Sequence, residues 1–177
     1  LVRIQDDGAL QEVEMNGAVP NRLVVTPDGS KVLAFAEWTE CKDDDEEIVY
    51  VSDCENEDIQ TNTELQIIQD GVQSGKLDIP SFINTLSFPG SDEAANIAVA
   101  YIDEEDSQSI EIKGVVDLGA VYFIDMSTGE IVGSASVGFS PNRILFGENN
   151  KAVVMSRSRV VVIDMNTFQQ AFEAPLT

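Results

Sequence analysis

The residues with chemistry to offer are carboxylates. They gather in two runs, Asp43-Asp44-Asp45-Glu46-Glu47 and Asp103-Glu104-Glu105-Asp106, inside polar stretches at 39–47 and 103–114. Carboxylate oxygens suit Ca²⁺, which makes Asp43, Asp45, Glu47, Asp103 and Asp106 the candidate ligands. Neither run has the alternating Asp-x-Asp-x-Asp-Gly spacing of a dedicated calcium loop. All nine acids can act instead as a negative surface that steers a basic protein partner. The bland reading is a solvated charge run that keeps the chain soluble.

Other chemistry lacks its residues. The sequence has no histidine, so the usual general base and imidazole metal ligand are absent. No glycine-rich loop follows a strand and opens a helix, so nucleotide binding lacks its device. Paired acids abound, but a glycosidase pair needs a cleft and a set separation. The expectation is a protein that is not an enzyme and has no cofactor, Ca²⁺ being the one alternative. The charge is −22, from 10 basic and 32 acidic residues. Such a surface disfavours phosphate backbones and anionic membranes. No apolar run approaches the ~20 residues of a membrane helix. Leu1 opens directly on strand-like sequence, as a mature or excised segment would.

The elements that must position these loops are strands. Residues 121–125, VYFID, form a short apolar run. Ser127-Thr128-Gly129 supplies a tight turn, and residues 130–137 alternate polar with apolar or small. Asp125 is placed to accept turn amides, as an Asx-turn does. The pattern recurs at Val162-Ile163-Asp164-Met165-Asn166-Thr167, and strands ending in acid recur at Asp6 and Asp53. Pro20-Asn21-Arg22 matches Pro141-Asn142-Arg143, with Pro80-Ser81-Phe82 between them at a spacing of about sixty residues. Helix signals are nearly absent.

The spacing predicts a half unit over 1–19 and three four-stranded units over 20–79, 80–138 and 139–177, about fourteen strands in all. Lettered A to D, the first full unit reads 22–26, 31–38, 48–53 and 64–69, with 70–78 as a connection. The second reads 81–88, 96–102, 121–125 and 130–137. The third reads 143–146, 151–156, 160–164 and 169–174. In a meander, B–C loops share a rim with D–A connections, so both acidic loops belong on one rim. The fold class is all-β, a β-propeller segment of about three and a half blades from a ring of about seven. Trp38 reads as a core residue of strand B.

Two stretches carry a resemblance. PNRLVVTPDGSKVLAF at 20–35 resembles the Pro-Asp-Gly half of YVTN-type and quinoprotein-amine-dehydrogenase-like propeller repeats. VYFIDMSTGEIVGSASVGFSPNR at 121–143 resembles their other half. The resemblance implies a fold rather than an activity. Relatives that bind copper or haem, or act as lyases, lean on histidine, which this chain lacks. The functional expectation is a secreted or cell-surface scaffold that binds another protein, or another copy or segment that completes the ring.

Cys41 and Cys54 permit one disulfide. An extracytoplasmic setting favours it. The strand assignment opposes it, because a strand at 48–53 would hold the two cysteines about 20 Å apart.

Overall fold

The computed structural model describes residues 2–4, 10–41, 59–89, 97–103 and 117–176. Fourteen strands and no helix run through the described residues. β1 (Val2–Ile4) and β2 (Leu10–Glu12) form an antiparallel hairpin. Three four-stranded antiparallel sheets follow, each a meander in chain order. Blade 1 is β3 (Arg22–Val25), β4 (Lys31–Cys41), β5 (Ile59–Gln69) and β6 (Val72–Ile79). Blade 2 is β7 (Thr85–Ser87), β8 (Ile97–Tyr101), β9 (Ala120–Asp125) and β10 (Glu130–Ser136). Blade 3 is β11 (Arg143–Gly147), β12 (Lys151–Met155), β13 (Arg159–Asp164) and β14 (Gln169–Pro175). This is the all-β propeller segment that the sequence led us to expect.

Side-chain alternation stacks the blades. Leu33 and Phe35 of β4, with Leu65 and Ile67 of β5, pack against Ala98, Ala100 and Ile124 of blade 2. The intervening residues of β8 and β9, Val99, Tyr101, Val121 and Phe123, face the other way onto Ala152, Val154, Val161 and Ile163 of blade 3. Small residues on the second strand let each sheet approach the bulkier face of the one before it. On the far side of blade 1, Ala34 and Ile68 receive Val13 from the segment after β2.

Three outer strands share one device. β6, β10 and β14 each carry a bulge, and their pairings resume at Ile67–Gly75, Phe123–Gly133 and Val162–Phe172. Turn chemistry is equally regular. Asp70 and Gly71 both have positive φ, as do Asn149 and Asn150, so two-residue and Asn-rich turns close these hairpins.

Two strand assignments need correction. The third strand of blade 1 is β5, not residues 48–53, which lie outside the described residues. Its fourth is β6, where the sequence suggested a connection at 70–78. Asp70-Gly71 is a tight hairpin turn, and β6 alternates half-buried with exposed residues as an outer strand does. Its polar makeup hid it. Thr61-Asn62-Thr63 was equally misleading, because these polar residues are buried in β5, which therefore starts before the expected residue 64. The disulfide follows from this change. Cys41 ends β4 opposite Ile59, and it is disulfide-bonded. Cys54 is the sequence's one other cysteine. Cys41 is the last residue of β4 and Cys54 lies outside the described residues; the blade's third strand begins only at Ile59, so it does not separate the two cysteines in sequence.

The lead-in to blade 2 also shifts. The amides of Asn21, Asn84 and Asn142 each donate to the second strand of their own blade, at Phe35, Tyr101 and Met155. Asn84 is therefore the counterpart of Asn21 and Asn142. Pro80 takes the position of Gly138, not that of Pro20 or Pro141. β7 accordingly starts at Thr85.

Candidate binding rim

Hydrogen bonds tie the B–C ends to the D–A connections. The Asp103 amide, where the second acidic loop begins, donates to Asn84 Oδ1 at 2.9 Å. Ser140 Oγ, in the connection from blade 2 to blade 3, donates to the Ile102 carbonyl at 3.2 Å. The Ile83 amide donates to Thr63 Oγ1 of β5 at 2.8 Å. The 80–84 connection therefore touches both β5 of blade 1 and the loop start of blade 2.

On this rim the two middle strands of blade 1 extend past their outer neighbours. β3 pairs with β4 only as far as Phe35, and β6 pairs with β5 only from Thr63 onward. Beyond them, Trp38, Thr39, Glu40 and Cys41 pair with Asn62, Thr61, Gln60 and Ile59 as a two-stranded ribbon. Trp38 is half-buried on it. The disulfide at Cys41 holds the end of this ribbon.

Charged groups meet at the inner end of the rim. Burial raises the Glu37 carboxyl above its ordinary value, while Asn21's side chain and the charge of Arg22 pull it back. Burial likewise raises the Tyr101 phenol, and Asp103 adds to that, while the Ser87 hydroxyl and Arg22 oppose it. Arg22 of blade 1 thus lies within electrostatic reach of Tyr101 in blade 2.

Among the expected site residues, Asp103 is described and stands on this rim, half-buried. Asp43, Asp44, Asp45, Glu46, Glu47, Glu104, Glu105 and Asp106 lie outside the described residues. Among the described residues, no three acids or cysteines come together around a metal-sized space.

The opposite rim holds the A–B and C–D turns. Asp125 Oδ1 accepts the Ser127 amide at 2.8 Å, and Asp164 Oδ1 accepts the Asn166 amide at 2.9 Å. Both capping readings hold, while Asp6 and Asp53 lie outside the described residues. Asp28 in the Pro-Asp-Gly turn accepts from Thr26 Oγ1 at 2.7 Å and from the Ser30 amide at 3.0 Å. The Thr26 hydroxyl bond, followed by those from Ser30, lowers its carboxyl to about 2. Lys31 Nζ donates to the Met126 carbonyl and so fastens blade 1 to blade 2 on this side.

One polar cluster escaped the sequence reading. Glu64 is buried in β5, yet its carboxylate takes the Ala18 amide at 2.8 Å and Lys76 Nζ at 2.6 Å. Burial pushes this carboxyl up, but bonds from Lys76, Gln66 and Ala18 outweigh it and leave it below its ordinary value. Gln66 Nε2 donates to the Ala18 carbonyl at 2.8 Å. Side chains thus satisfy both backbone groups of Ala18 and pin the lead-in to blade 1. The signal was there, since Glu64 and Gln66 share one face of a strand, but their partner Ala18 is 46 and 48 residues away. A groove of about 430 Å³ opens beside the cluster, lined by Glu14, Asn16, Gln73, Ser74 and Lys76 among others.

No protein-family model matches the chain, and no curated protein matches it either. Solved structures do. Hydrazine synthase of Kuenenia stuttgartiensis is similar at a TM-score of 0.52 and 12% identity, over 89% of this chain and 36% of that one. Apo AztD from Citrobacter koseri matches at 0.44 and 17% identity, over 67% of this chain and 31% of that one. The WD40 beta propeller domain of Doa1 matches at 0.40 and 12% identity, over 66% and 36%. All three are β-propeller proteins. At these identities the likeness concerns the fold alone. The chain spans about a third of the length of each.

Proposed function

We propose that this chain is part of a YVTN-like, non-catalytic β-propeller outside the cytoplasm that serves as a protein-binding or assembly scaffold. Its working surface is the rim of B–C and D–A connections. The observation that carries the reading is the contact of Asp103 with Asn84, backed by Ser140 with Ile102. It sets the start of an acidic loop on the rim where the blade 1 ribbon projects. Long loops on a rigid sheet scaffold are where binding residues concentrate. The disulfide at Cys41 supports an oxidising compartment, and the absence of histidine favours binding over acid–base catalysis.

The test is binding to an immobilised oligolysine peptide at several salt concentrations. One variant converts Asp43, Asp44, Asp45, Glu46 and Glu47 to Asn or Gln, and a second does so for Asp103, Glu104, Glu105 and Asp106. A control neutralises Asp70, Glu130 and Glu148, which stand in or beside turns of the opposite rim. Per charge removed, the two rim variants should weaken binding and flatten its salt dependence more than the control. Equal losses would reduce the acids to a general solvating surface. A rise in melting temperature with Ca²⁺, lost in the rim variants, would favour a calcium-binding domain.

A further inference from the structure

The stacking of the blades repeats at a single locus, and blade 3 departs from it. Gly75 of β6, Gly133 of β10 and Phe172 of β14 are equivalent, each being the residue at which pairing resumes after the bulge. At the interface of blades 2 and 3, Phe168 from the blade 3 C–D turn fills the space over Gly133. A Cβ there would lie 2.1 Å from the ring. Phe168 holds a positive φ of 56° to do this and packs on Phe123 with centroids 5.0 Å apart. At the interface of blades 1 and 2, the same turn position is Gly129, where Ile67 would come within 3.0 Å of an added Cβ. Each interface thus has a bulky group on one side and a glycine on the other.

Blade 3 turns a matching face outward. Leu145, Val153, Val162 and Phe172 stand in direct cross-strand register across all four strands. Val153 and Val162 alternate with the residues that pack on blade 2, so the row lies on the other side of the sheet. Leu145 is 40% and Phe172 57% exposed. Four residues beyond the bulge site stand Ile79, Val137 and Leu176. The first two are 0% and 6% exposed because the next blade covers them, whereas Leu176 is 40% exposed.

We propose that this face is the docking surface for a further four-stranded blade, and that its C–D turn carries glycine where blade 3 carries Phe168. The reading rests on the chain being part of a larger propeller. Phe172 already fills the space that Gly133 leaves open, so a second bulky turn residue would collide with it. The covering blade resembles blade 2, with small residues on its second strand, as at Ala98 and Ala100, and a glycine turn, as at Gly129.

The test replaces Thr177 with a second copy of residues 80–137, placed directly after Leu176. That position reproduces the spacing that follows Ile79. A second version carries Gly129→Phe in the added copy, and a third adds Phe172→Gly to the second. Hydrogen exchange of the 169–176 peptide and the melting temperature are the readouts. The first version should slow exchange at least tenfold and raise the melting temperature. The second should lose both gains, and the third should recover them. Equal protection in the first and second versions would overturn the glycine requirement while leaving the docking face intact. No protection in either the first or the third would overturn the docking face and the larger-propeller reading with it.

Discussion

At the scale of single residues, glycines and turn acids carry the most consequence. Gly133→Ala should destabilise the chain by about 1–3 kcal/mol, the usual range for overpacking, because the new methyl meets the Phe168 ring. Phe168→Ala should cost about 2 kcal/mol through lost aromatic packing. In that background Gly133→Ala should become nearly neutral, since the colliding group is gone. A urea-denaturation double-mutant cycle checks this. Acid response belongs to the same scale. The Asp28 carboxyl is lowered from 3.8 to about 2 by its turn bonds. A group lowered in the folded state contributes stability above its ordinary value, and that contribution fades as pH falls through the folded one. The melting-temperature gap between the parent and Asp28→Asn should therefore be full at pH 5 and shrink between pH 4 and pH 2. A gap that is constant with pH would contradict the capping role. Turn acids were legible because Asx-turns are local. Phe168 was not, since only the neighbouring blade explains why a large side chain takes a glycine conformation.

At the scale of elements, the β4–β5 ribbon is the feature that sequence misplaced. Its Thr61 and Asn62 are polar yet buried, and periodicity reads such residues as loop; Glu64, further along β5, is buried too. The bonds that make Glu64 tolerable inside, from Ala18 and Lys76, are 46 and 12 residues away. Lys76→Ala should therefore destabilise more than an exposed ion pair would, because it leaves a buried carboxylate short of a partner. Removing the stranded charge as well, as Glu64→Gln with Lys76→Ala, should recover part of the loss, measured by thermal melting. The disulfide at Cys41 acts on the same ribbon. Cys41→Ser should lower stability by about 2–4 kcal/mol, the usual value for a native bridge. It should also speed hydrogen exchange in Ile59–Gln69 more than in Arg159–Asp164 of blade 3. Equal changes in both strands would mean that the bridge does not organise the ribbon.

At the scale of the whole molecule, repetition made the architecture readable. Blade 3 and the last three strands of blade 2 matched their expected strands closely, because Ile-Asp-Met-x-Thr and the following alternation mark the outer hairpin twice. Blade 1 departed from expectation where its long B–C connection broke the period. The rim was legible from meander topology alone, while the contacts that build it, through Asn84 and Ser140, are long-range and were not. The open side of blade 3 follows from the same stacking rule. Sedimentation velocity in 0.5 M salt, which screens the −22 charge, tests it most directly. The 177-residue chain should associate with rising concentration through its apolar face, and Leu145→Ser with Phe172→Ser should remove most of that association. A parent chain that stays a 19.3 kDa monomer throughout, indistinguishable from the variant, would contradict it.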